Sequence, residues 1–165
     1  MRNVILASAL VLSGCAELDA LLQPGELGPA PLPVEEASVE TLDPTPPPPP
    51  PPEANTAEEF DTTTEEDRDA ALETPAATGE VNLGRTLATL GNPADPGIWI
   101  ETPLVSQLVM GRVEVAATGK SINIELRPSG GEPGSGSSIS LPAMGLLEIP
   151  LTAIEEVIVY SGAAA

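Results

Sequence analysis

Few residues in this chain can do chemistry, and their kinds set narrow limits. Its 165 residues include one cysteine, Cys15, and no histidine. Without histidine, the commonest general base and the commonest metal ligand are missing. That excludes a Ser-His-Asp or Cys-His nucleophilic site and a histidine-containing zinc site. A lone cysteine cannot close an intramolecular disulfide, so any folded part must rely on its apolar core. What remains is a thiol, carboxylates, a few guanidinium groups and one tryptophan. Four side chains are candidates for binding: Trp99, Arg112, Glu125 and Arg127. A tryptophan ring can stack on a sugar, and arginines next to glutamates such as Glu114 can line a polar groove. The competing structural roles are cross-strand charge pairs on solvated faces and, for Trp99, packing in or beside the core. The loop Gly130–Ser137 is rich in glycine. It lacks a Gly-Lys-Ser/Thr ending and a strong helix after it, so it reads as a plain loop rather than a phosphate cradle. No cofactor and no metal are expected.

Cys15 stands apart from these groups. Arg2 precedes an apolar run, Val4 to Leu12, broken only by Ser8. The run is shorter than the roughly 20 residues a membrane span needs, and reads as a secretory signal over residues 1–14. Leu12-Ser13-Gly14-Cys15 resembles the lipobox of bacterial lipoproteins. The resemblance implies that the Cys15 thiol takes a diacylglycerol, that the signal is cut before it, and that the new amine is acylated. Three acyl chains, at about 0.8 kcal/mol per buried methylene, hold a protein on a membrane for good. Ala16 follows, not the aspartate that retains many lipoproteins in the inner membrane. The implied location is the outer membrane, periplasmic face, with the lipid on Cys15 as the membrane contact.

The elements that position the other candidates come from the second half of the chain. Net charge is −19. Residues 16–80 carry 17 acidic residues against Arg68 alone, whereas residues 81–165 carry eight acidic and four basic. Such acidity argues against nucleic acid as a partner. Pro24, Pro29, Pro31 and Pro33 interrupt regular structure. Pro46 to Pro52 is an unbroken run, expected to form a polyproline II rod about 22 Å long. With Phe60 its only aromatic, the segment 15–80 reads as a lipidated, acidic, proline-rich and disordered tether. Its expected role is that of a spacer, the alternative being a polyproline II ligand for an aromatic-lined groove. A helix over Glu58–Leu72 is opposed by Thr62-Thr63-Thr64 and by clustered like charge.

From Val81 the pattern turns to period two. Strands are expected at Val81–Leu90, Ile98–Ile100 and Leu108–Val115. The clearest alternation is Ile122, Ile124 and Leu126 against Asn123, Glu125 and Arg127. A brief strand at Ile139–Leu141 leads into a short helix through Leu147, opened by Pro142. Val157–Tyr160 is the last strand. The fold class expected is mainly β: residues 81–165 as a small barrel with one short helix, closed or nearly closed to hide its edges.

Gly111-Arg112-Val113-Glu114-Val115, Thr118-Gly119-Lys120-Ser121-Ile122, Ile124-Glu125-Leu126, Ile139-Ser140-Leu141 and Val157-Ile158-Val159 resemble the double-psi β-barrel of rare lipoprotein A. The resemblance spans about residues 103–160 and implies a double-psi-like barrel. That family cleaves peptidoglycan glycan strands without water. Where it has Asn-Asp-Arg-Gly-Pro after this strand, Arg127, Pro128, Ser129 and Gly130 stand at the first four positions here. Proline therefore replaces the catalytic acid, and the family's histidine has no counterpart. Glu125 lies an odd number of residues before Pro128, on the opposite face of a continuous strand. The chain also resembles small lipoproteins labelled galactarate dehydratase, a metal-dependent activity for which it has no residues.

The resulting expectation is a non-catalytic binding or scaffolding protein of the cell envelope, with peptidoglycan or an envelope protein as partner. The alternative is a reduced lytic transglycosylase that uses Glu125 or Glu132 as its acid.

Overall fold

The computed structural model describes residues 41–73 and 79–162. The signal segment, Cys15 and the first part of the tether lie outside the described residues. All described residues belong to one compact unit.

Six strands close into a barrel: β1 (Val81–Leu90), β2 (Trp99–Thr102), β3 (Val109–Val115), β4 (Ser121–Pro128), β5 (Ser137–Ile139) and β6 (Glu155–Ser161). Their order around the barrel is β1-β5-β2-β4-β3-β6. Two pairs are parallel, β1 with β5 and β2 with β4, and the others are antiparallel. These pairings map onto themselves when β1, β2 and β3 are exchanged with β4, β5 and β6. A small, mainly β, double-psi-like barrel is therefore what the chain forms. Closure removes the free edges that a sheet of this size would expose.

Alternation sets which side chains fill it. Ile122, Ile124 and Leu126 of β4, Val113 and Val115 of β3, Ile100 of β2, Ile139 of β5 and Val157 and Val159 of β6 point inward and are buried. At Gly111 of β3 the barrel has no room for a side chain. A Cβ there would lie 2.3 Å from the Tyr160 carbonyl oxygen and 2.5 Å from Leu126 Cδ1.

Three short helices accompany the strands: α1 (Ala57–Phe60), α2 (Glu65–Leu72) and α3 (Leu141–Leu146). Helix α3 packs Ala143 and Met144 into the core. Its last carbonyls are taken by Glu148 N–H to Gly145 and Ile149 N–H to Met144, with Glu148 at φ 56°. That is the left-handed ending that usually calls for glycine.

Residues 41–73, expected as part of the tether, lie on the barrel instead. Asn123 on the outer face of β4 donates to the carbonyls of Ala70 and Glu73 at 3.2 and 2.9 Å. Ala71 is buried against the core. Of the threonines 62–64 read as opposing helix, Thr64 in fact starts one, and Thr56 starts another. Thr56 and Glu59 form a reciprocal capping box for α1, and Thr64 and Asp67 form another for α2. Each satisfies backbone donors that a helix start leaves open. Acidic first turns also suit the positive end of the helix. The proline run does not stand free, since Pro47 is buried. The run closes in a turn where Ala54 N–H donates to the Pro51 carbonyl at 2.9 Å.

Candidate functional site

The outer face of β4 holds a buried ionic cluster beneath the 41–73 segment. Alternation turns Glu125 and Arg127 outward, away from Ile124 and Leu126. Parallel pairing sets Trp99 of β2 beside Glu125, and Glu101 beside Arg127. The loop before β2 brings in Asp95. Arg127 Nε donates to Glu125 Oε1 at 2.7 Å, and Nη1 donates to Asp95 Oδ2 at 2.9 Å. The guanidinium carbon lies 4.9 Å from the centroid of the Trp99 ring. One arginine thus bridges two carboxylates and covers an indole.

The 41–73 segment completes the cluster. Thr41 Oγ1 donates to Glu125 Oε2 at 2.9 Å, and Leu42 N–H donates to the same oxygen. Both oxygens of Glu125 are engaged, and its side chain is only 6% exposed. Asp95 differs. Its Oδ1 is buried without a hydrogen-bond partner among the described residues. Burial pushes its carboxyl above the usual value of 3.8, with Arg127 pulling the other way.

Trp99 is buried, at 2% exposure. Its Nε1–H donates to the Asp95 carbonyl at 3.2 Å. Its backbone N–H donates to Ser140 Oγ at 3.1 Å, which ties β2 to the start of α3. The ring fits over Gly91, where a Cβ would lie 2.6 Å from Trp99 Cη2. A ring so enclosed, with Arg127 over it, does not offer a face to a sugar in this arrangement.

Arg112 belongs to a second cluster, on β3. It forks onto Glu80, with Nε to Oε1 and Nη2 to Oε2 both at 2.9 Å. Nη1 reaches Glu114 at 2.9 Å, and the guanidinium carbon sits 3.9 Å from the Tyr160 ring centroid. These bonds hold Glu80 below the usual carboxylate value and raise Arg112 above its ordinary one. The four candidates therefore share the outward-facing side of neighbouring strands, but in two separate groups. Trp99, Glu125 and Arg127 come together, and Arg112 does not join them.

Sequence reasoning missed Asp95, Thr41, Leu42 and Glu80. Asp95 sits in a turn-rich stretch where an acidic residue is unremarkable, so nothing in its spacing marked it. Glu132, the other acid considered, is exposed in the glycine-rich loop, where its carbonyl accepts from Ser135. Among the described residues, no group of three or more histidine, cysteine or carboxylate side chains could hold a metal ion. No described helix is long and apolar enough to cross a membrane.

A separate open pocket of about 210 Å³ lies on the other side of the barrel, between Arg85, Leu87, Leu104 and Gly136. Arg85 there is paired with Glu156 at 2.6 Å. No protein-family model, curated protein or solved structure matches the chain.

Proposed function

We propose that this chain is a bacterial lipoprotein, held through Cys15 on the periplasmic face of the outer membrane. In this reading its barrel is a non-catalytic binding or scaffolding head at the cell envelope, with peptidoglycan or an envelope protein as partner. The observation that carries the non-catalytic reading is the state of Glu125. It is the carboxylate nearest in sequence to Pro128, where the rare lipoprotein A family places its acid. Here it is buried and accepts from Arg127, Thr41 and Leu42, so both of its oxygens are already engaged. A general acid in glycan cleavage must carry a proton and hand it over. A carboxylate locked between a guanidinium and two other donors is built to stay where it is. The anchor rests on the lipobox-like sequence at Leu12–Cys15.

Two measurements test this reading. Cys15→Ser should abolish membrane fractionation of the mature protein; a membrane-bound mature Cys15→Ser species would end the anchor proposal. Sedimentation with purified peptidoglycan, followed by analysis of soluble muropeptides, tests the head. Binding without anhydro products is the expected result. Anhydro products that disappear in Glu125→Gln or Glu132→Gln would establish the lytic alternative instead.

A further inference from the structure

The hydrogen bonds that hold the 41–73 segment on β4 lie at its two ends. At one end Thr41 and Leu42 donate to Glu125. At the other, Asn123 donates to the carbonyls of Ala70 and Glu73. Within the segment Pro47 and Ala71 are the buried residues; the rest are half-buried or exposed. A segment with so little buried surface opens at a free energy well below that of global unfolding.

The face beneath it suits an extended peptide. Glu125 accepts a hydroxyl and the next residue's N–H from one stretch of chain. Asp95 Oδ1 and Asn123 Oδ1 are buried acceptors without a partner among the described residues. Further along, Pro47 meets the Gly97–Trp99 wall: a Cβ on Gly97 would lie 4.0 Å from both Pro47 Cδ and Trp99 Cδ1. The surface therefore selects a hydroxyl-bearing residue with a free amide after it, and then a proline. Every copy of this chain carries one such peptide, Thr41-Leu42-Asp43-Pro44-Thr45-Pro46-Pro47. The segment joins the barrel through residues 74–79, after which Glu80 is held by Arg112. An exchange of this segment between copies would reproduce every contact without creating a new one, which makes swapping a low-cost route to association.

We propose that the outer face of β4 is an exchangeable peptide groove, and that residues 41–73 of a second copy of this chain compete for it with the chain's own. Neighbouring copies are then linked segment to barrel. This inference needs neither the lipid anchor nor any reading of the head's ligand, and its test does not depend on them. The net charge of −19 opposes association at low salt, so linkage strengthens as added salt screens it.

The test uses the full chain carrying Cys15→Ser and a fluorescent synthetic peptide of residues 41–73. The peptide should bind the otherwise unaltered chain weakly, because the chain's own segment competes. Thr41→Ala in the chain loosens that competitor and leaves the groove intact. Peptide affinity should then rise about tenfold, the effect of one lost charge-assisted hydrogen bond. Glu125→Gln, checked for folding by circular dichroism, should bind peptide least. A photo-crosslinker at position 42 in a mixture of isotope-labelled and unlabelled chains should yield between-copy products that grow with concentration. Equal peptide affinity for the Thr41→Ala chain and its parent would overturn the proposal. So would crosslinks that stay within one copy at every concentration. Thr41 is half-buried and lies in the covering segment, outside the barrel core, so this outcome does not hinge on whether Glu125→Gln folds.

Discussion

Thr41 and Glu125 are 84 residues apart in the chain, and the threonine hydroxyl donates to the carboxylate at 2.9 Å. That bond explains why an outward-facing glutamate on a barrel strand is buried. Glu125 would otherwise lie on the solvated side of β4 with Asn123 and Arg127. The acidic segment that covers it carries like charge overall, so hydrogen-bond donors, not cations, make the contact. Thr41 offers a hydroxyl and Leu42 an amide, and Arg127 supplies the positive charge from the barrel side.

Removing that charge should be severe. In Arg127→Ala, two carboxylates lose a shared partner: Glu125, 6% exposed, and Asp95, 18% exposed. Breaking a buried pair from one side typically costs 3–5 kcal/mol. Glu125 keeps two donors, so the expected loss is about 3 kcal/mol, read from urea unfolding. A loss below about 1 kcal/mol, typical of an exposed pair, would mean that water already solvates the cluster.

Thr64→Ala should act locally. It removes one half of the α2 capping box, whose backbone donor is Asp67 N–H at 3.2 Å. Loss of such a cap costs about 1 kcal/mol. Because the segment lies on an already closed barrel, amide exchange should quicken within Glu65–Leu72 while Ile122, Ile124 and Leu126 stay protected. Uniform loss of protection across both would show that segment and barrel unfold as one unit.

The barrel was legible because its signals are local. Period-two alternation fixes which face of a strand is buried, and Ile122, Ile124 and Leu126 with Val113 and Val115 announce the interior directly. The helix after Ser140 was legible from Pro142. The docking of residues 41–73 was not. Its composition argues against a core of its own, and that remains true, since it borrows the barrel's surface instead. The threonines at 56 and 64, each followed three residues later by an acid, carry the capping pattern, but the run Thr62–Thr64 and clustered like charge read against helix. Of the site, the outward set Glu125 and Arg127 followed from alternation. Asp95 and Thr41 did not, because contacts across such sequence distances leave no trace in spacing.

Gly111 and Gly145 make a matched pair of alanine substitutions with opposite expected signs. At Gly111 the added carbon would meet the Tyr160 carbonyl at 2.3 Å, a backbone atom that cannot swing aside. Overpacking a closed barrel in this way should cost about 2–3 kcal/mol. At Gly145, inside α3, nothing lies within 4 Å of the added carbon. Alanine there should stabilise by about 0.5–1 kcal/mol through helix propensity alone. Thermal unfolding of both variants checks the contrast, and a neutral Gly111→Ala would contradict the close approach of β3 to β6.

Acid should act on the two ionic clusters in opposite directions. Hydrogen bonds from Arg112 hold the folded Glu80 carboxyl below its ordinary value of 4.5. The unfolded chain therefore binds that proton more tightly. Glu80's contribution is complete above 4.5 and is lost as pH falls through its lower folded value. Asp95 is the reverse, because burial raises its folded value above 3.8 against the pull of Arg127. The folded chain binds that proton more tightly, so stability is gained as pH falls through the raised value, and the gain is complete below 3.8. Urea midpoints from pH 7 to pH 3 for the unaltered chain, Glu80→Gln and Asp95→Asn separate the two. The advantage of the unaltered chain over Glu80→Gln should shrink on acidification. Its standing relative to Asp95→Asn should improve over the same range, since a protonated aspartate no longer carries a buried charge. Parallel trends in both comparisons would mean that Arg127 holds Asp95 as firmly as Arg112 holds Glu80.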